Sequence, residues 1–182
     1  MARTIYASES PTGLRRSQKR SSPDPLRVRG VALEPRLSSG FGVRDAIELL
    51  GADRIDHRVR AIADNAVVAL LAERGISLGV CPTSNIALKV YPSMEAHPLD
   101  RLRRAGVRVS INTDDPSLLG TNLPREYEIA RATYGWTEDV LRELARTSIE
   151  ASFAGPPDIT EKMRANLSEW GTGLETFDEK RS

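Results

Sequence analysis

From residue 43 onward the chain alternates short apolar runs with helix-patterned runs, and tight glycine stops separate them. "DNAVVALLAERG" puts Ala66, Val67, Leu70 and Leu71 on one helical face, with Asp64 placed to cap the start and Gly75 to end it. "ISLGVCP" follows as a strand closed by Pro82, "HPLDRLRRAG" is a second helix stopped at Gly106, and "VRVSIN" is the next strand. "VRDAIELLG" reads as a helix ahead of this series and "DRIDH" as a short strand end. "LPREYEIARATYG", "TEDVLRELARTSIEAS" and "TEKMRANLSEW" read as helices after it. Such a series permits few folds: parallel strands joined by helical crossovers that pack on the sheet.

The polar residues cluster after the strands rather than before them: His57, then Cys81 to Asn85, then Asn112 to Asp115. In a parallel sheet or barrel this gathers them at the carboxyl edge, where active sites form. "VRVSINTDDPSLLG" is the sharpest case, because Asp114 and Asp115 set two carboxylates side by side. Adjacent like charges cost stability unless a cation, a hydrogen-bond donor or solvent relieves them. A turn ahead of Pro116 also accounts for the pair through Asx chemistry, so these residues alone leave turn and site both open.

At 182 residues, 40 % apolar and 28 % charged, the chain suffices for one domain with a sizeable core. The single cysteine, Cys81, excludes an internal disulfide and reads as a small buried apolar residue. No apolar run approaches the roughly 20 residues that span a bilayer, and no signal-peptide pattern opens the chain, so a cytoplasmic protein without a membrane partner is expected. Residues 1–36 carry eight Lys/Arg against three acids, which leaves the remainder at −4 for a total of +1. This Ser-, Arg- and Pro-rich stretch shows no helical or strand period, so residues 1–42 are expected to be a disordered basic leader. Only Tyr6 accompanies its basic residues, which gives no stacking platform and makes nucleic acid an unexpected partner. The expected division is 1–42 leader, 43–170 folded unit and 171–182 polar tail.

"RIDHRVR", "VCPTSN" and "SINTDDP", with helices between them, resemble the C-terminal part of the adenosine deaminase family of zinc-dependent aminohydrolases. The resemblance runs from about Val43 to about Trp170 and implies an α/β fold, the C-terminal portion of a (β/α)8 TIM barrel. It implies hydrolytic deamination of a 6-aminopurine nucleoside, with adenine or another 6-aminopurine as the alternative substrate. It also implies one zinc ion that activates the attacking water. By motif, Asp114 is the zinc ligand, Asp115 the substrate-binding group at purine N7, and His57 the catalytic histidine that orients the hydroxide, with Ser84 near that histidine. His97, ahead of Pro98, reads as part of a helix start rather than as a ligand.

Other family positions have no counterpart here. The chain holds two histidines in all, His57 and His97, where the family pattern calls for an "HxH" pair and a further histidine with a glutamate three residues on. Asp56 and Arg58 stand where glycines flank the family histidine, and Arg58 brings bulk and a cation. The expectation is therefore a truncated copy, disrupted near residue 42, keeping one of four zinc ligands and inactive on its own. A catalytically dead fragment or scaffold is the rival reading, and open barrel edges would allow self-association.

Overall fold

Five short strands hydrogen-bond into one parallel sheet in sequence order: β1 (Thr4–Ala7), β2 (Gly30–Leu33), β3 (Arg54–Asp56), β4 (Ser77–Val80) and β5 (Arg108–Ile111). The computed structural model describes residues 4–7, 30–33, 42–153 and 157–170. The helices are α1 (Val43–Glu48), α2 (Asn65–Arg74), α3 (Pro82–Ala87), α4 (Leu99–Arg104), α5 (Pro116–Leu119), α6 (Leu123–Tyr134), α7 (Glu138–Ala151) and α8 (Pro157–Glu169). A 3-10 turn over Val59–Ala63 links β3 to α2.

The register across the central strands decides what each face carries. Ile55, Leu78 and Val109 stand level, and alternation puts Val80 and Ile111 on the same side. All five are at most 2 % exposed, and they share the core with Leu71 of α2 and with Leu99 and Leu102 of α4. The opposite face carries Arg54, Ser77 and Arg108 in one row and Asp56, Gly79 and Ser110 in the next. Parallel strands therefore send their core residues to the helices and their polar residues to the other side.

The expected helices and strands fall where the sequence places them. Asp64 caps α2 as expected, accepting from the N–H groups of Ala66 at 2.9 Å and Val67 at 3.2 Å, and Gly75 closes it in the left-handed region at φ 61°. Two short helices depart from the sequence reading. Pro82, read as closing a strand, and Pro116, read as following a turn, are the first residues of α3 and α5, where a fixed φ and a missing N–H suit a helix start. Inside the stretch expected to be a disordered leader, the backbone forms β1 and β2, with Val31 in register with Ile55. These strands are four residues each, too short for their alternation to stand out in the surrounding Ser/Arg/Pro composition. The rest of residues 1–41 and the polar tail from 171 lie outside the described residues.

His97 takes the structural role expected of it. It is 3 % exposed, and its Nδ1 accepts the Leu99 N–H at 3.2 Å at the start of α4. That leaves Nε2 to carry the proton and donate to Asn85 Oδ1 at 3.0 Å, tying α4 to α3. Tyr134 locks the same joint by donating to the Met94 and His97 carbonyls. Burial pulls the His97 imidazole down to about 4 from an ordinary 6.5. A histidine depressed on folding contributes its full stability above pH 6.5 and loses it as pH falls towards 4, an effect on the order of 3 kcal/mol. His97→Gln, which takes up no proton, is expected to be less stable than the parent above pH 6.5. The gap should narrow as pH falls to 4, as read from urea midpoints across that range.

Candidate active site

Three strand ends converge on one cleft of about 420 Å³ at the carboxyl edge of the sheet. Its lining includes Asp56 and His57 at the end of β3, Cys81 after β4, and Ser110, Asn112 and Asp114 at the end of β5, with Ser148 and Ala151 of α7 as a further wall. The ladder runs on past the strands: His57 N–H donates to the Gly79 carbonyl at 3.2 Å and Asn112 N–H to the Val80 carbonyl at 2.8 Å. The loops therefore leave the sheet from fixed points.

His57 and Asp114 both sit in the left-handed region, at φ 64° and 61°, and Lys89 at φ 56° is the third non-glycine among the described residues to do so. Such backbone costs about 1–3 kcal/mol per residue and persists where the surroundings over-determine it. Two of the three residues are the ones the sequence singles out for chemistry.

The adjacent carboxylates find their relief in donors and solvent. Asp114 is exposed, and Ser84 Oγ donates to its Oδ2 at 2.7 Å. Ser84, expected beside the histidine, thus has its hydrogen bond with the aspartate from the neighbouring strand end. Asp115 is also exposed, and its Oδ1 accepts the Leu118 N–H at 3.1 Å, capping α5. The turn chemistry falls on Asp115, whereas Asp114 faces the cleft with one oxygen held by Ser84.

Asp56, one of the residues that replace the expected glycines, is accommodated from below. Arg54 Nε donates to its Oδ2 at 3.1 Å, and Arg54 is itself placed by the Ala151 carbonyl and the Phe153 ring. Gly79 lies level with Asp56, and a Cβ there would overlap the Asp56 carboxylate and approach Asn112 Nδ2 to 3.2 Å. Any larger residue at 79 would push the Asp56 carboxylate out of its place, a constraint that the sequence signalled merely as a glycine inside a strand. Cys81 is 5 % exposed, and burial together with the charges of Asp114, Asp56 and Glu126 pushes its thiol up to about 12. It is an inert buried thiol, in line with the sequence reading.

Zinc, which the resemblance implies, meets an incomplete donor set. Among the described residues no three His, Cys, Asp or Glu side chains come together as a metal site. The described residues do not fit the ion on their own.

Arg58 is the discordant member. Its Nε and Nη2 are buried with no hydrogen-bond partner among the described residues, and burial lowers its guanidinium from the usual arginine range. Unmet buried donors cost about 1–3 kcal/mol. Arg58→Met keeps the stem and removes both donors, and it is expected to raise the unfolding free energy by about that amount, read as a higher urea midpoint at unchanged slope. An unchanged or lower midpoint would show that a group outside the described residues satisfies the guanidinium.

The comparisons with known proteins agree with this geometry. Residues 37–170 match the family model described as adenosine deaminase, a match that begins six residues before the boundary expected at 43. An adenine deaminase of Sinorhizobium medicae is 49 % identical over 131 residues, 72 % of this chain and 40 % of the relative. The crystal structure of an adenine deaminase from Arthrobacter aurescens superposes with a TM-score of 0.69 at 26 % identity, over 79 % of this chain and 43 % of that one. The crystal structure of a cog1816 amidohydrolase from Burkhoderia ambifaria, with bound Zn, shares the fold at a TM-score of 0.64 and 24 % identity, over 78 % and 48 %. The chain thus spans about 40 % of the length of the curated relative, and no described helix is long and apolar enough to cross a membrane. With an all-parallel sheet, a cleft at its carboxyl edge and a family model matched over residues 37–170, this chain belongs to the adenosine deaminase family.

Proposed function

We propose that residues 43–170 form one wall of a deaminase site that replaces the exocyclic amine of a 6-aminopurine by oxygen, releasing ammonia. The observation that carries this reading is the convergence of His57 and Asp114 on one cleft, both on left-handed backbone at strand ends. In this reading Asp114 holds the reacting centre, with Ser84 bonded to one of its oxygens and limiting its rotation. His57 makes no side-chain hydrogen bond to another described residue, so its imidazole is available to orient the water or take up a proton. Asp115, anchored through one oxygen to the Leu118 N–H, offers its other oxygen to a purine ring nitrogen.

Zinc enters only as an ion to which this chain contributes Asp114; the remaining ligands must come from outside the described residues. In this reading groups outside the described residues complete the site, and a second chain along an open strand edge is one way to supply them. The sequence favours a nucleoside substrate, whereas the names of the Sinorhizobium and Arthrobacter relatives favour adenine, which we propose as the substrate to test first.

The test is a fusion. The portion of the Sinorhizobium medicae relative that this chain does not cover is joined to Val43–Ser182, and ammonia release from adenine and from adenosine is followed. The fusion is expected to turn over adenine in preference to adenosine. Asp114→Ala should lower the rate by at least ~10²-fold, and the unfused chain should stay near background. A folded fusion inert towards both purines would remove the deaminase reading. Turnover by the unfused chain at an enzyme-like ~1–10³ s⁻¹ would show that this chain completes its own site.

A further inference from the structure

Glu126 has no part in the chemistry assigned above, yet it is the most deeply buried acid of the described residues, at 0 % exposed. A carboxylate taken out of water is costly unless its oxygens are hydrogen-bonded. Glu126 reaches from the first turn of α6 to the start of α3 and to the loop after α5. Its Oε2 accepts the Thr83 N–H at 3.1 Å, and its Oε1 accepts the Thr121 hydroxyl at 2.7 Å.

Thr83 lies in the first turn of α3, where main-chain N–H groups lack intrahelical partners, so α6 caps α3 with this side chain. The next residue is Ser84, whose hydroxyl bonds Asp114 Oδ2. Thr121 closes the other loop, which leaves β5 at Asn112, carries Asp114 and Asp115, and ends after α5. One buried carboxylate therefore bonds the residue before Ser84 on one side and the end of the Asp114 loop on the other. Asp114 holds a left-handed φ of 61°, which lasts only where its surroundings hold it.

We propose that Glu126 is a positioning residue for Asp114, acting through Thr83 and Ser84 on one side and Thr121 on the other. It sets the Ser84–Asp114 hydrogen bond and with it the direction of the Asp114 carboxylate. The functional weight of this role rests on the reading of Asp114 as the carboxylate of the reacting centre. Its physical content does not.

The full 182-residue chain tests it through the side-chain carboxyl ¹³C signal of Asp114, assigned by its disappearance in Asp114→Asn. Glu126→Gln keeps the shape and leaves an amide N–H₂ facing one of the two donors. It is expected to move the Asp114 signal in the same direction as Ser84→Ala, and the combined variant should show the Ser84→Ala shift alone. Thr121→Val, which removes one donor without touching Glu126, keeps the test available if Glu126→Gln does not fold, and its expected shift has the same sign. An Asp114 signal at its parent position in a folded Glu126→Gln or Thr121→Val chain would overturn the proposal. So would an effect fully additive with Ser84→Ala. The readout is independent of turnover. An inactive fusion with this coupling intact would sink the deaminase reading and leave Glu126 its role, whereas an active fusion without the coupling would do the reverse.

Discussion

The parallel ladder from β3 to β5 is the constraint on which everything else depends. It levels Asp56, Gly79 and Ser110, and it continues beyond the strands through the His57 and Asn112 N–H groups. Parallel pairing requires crossovers, the crossovers here are helices, and the helices demand that Ile55, Leu78 and Val109 turn towards them. The polar alternates are then left on the other face, and the chain direction delivers every strand end to the same edge. The cleft is thus a consequence of the ladder and not an addition to it.

Buried and half-buried polar groups serve as joints between the elements that the ladder aligns. His97 ties α3 to α4 by using both ring nitrogens, and it can do so only as a neutral ring. Asp100 on α4 receives Trp136 Nε1 at 2.9 Å and pairs with Arg103 and Arg104, which anchors the turn between α6 and α7. Glu126 joins the loops after β4 and β5. Each group has its oxygens or nitrogens occupied, which is the condition under which a buried polar group specifies one arrangement at little cost.

Arg58 does not meet that condition, and the contrast is informative. Asp56 and Arg58 flank the same histidine, and both bring side chains where the resemblance called for glycine. Asp56 is matched by Arg54 and by the space over Gly79, whereas Arg58 leaves two buried donors without a described partner. The departure at 56 is absorbed by the fold, and the departure at 58 is carried as a local cost.

Much of this was legible in the chain itself. Asp64 and Gly75 marked α2, the alternation in "VRVSIN" marked β5, and the polar clusters after each apolar run announced a carboxyl-edge site, because these signals are local and repeat with the period of the backbone. Pro82 and Pro116 were legible as breaks but not as helix starts, since a proline both closes a strand and opens a helix. Other features had no local signal at all. Glu126 reads in sequence as an ordinary surface charge in an amphipathic helix, and only the packing of α6 against the loops after β4 and β5 buries it. Gly79 reads as a weak point in a strand, and only the level pairing with β3 puts the Asp56 carboxylate in its place. The sequence by itself determined most elements from residue 43 onward, their parallel order and the edge at which His57 and Asp114 meet, through periodicity and chain direction. Which hydroxyl bonds Asp114, which carboxylate joins its loop to the next and which cation goes unmet were decided by tertiary structure alone, because these depend on distances between residues 30 or more apart, or on burial, neither of which spacing encodes.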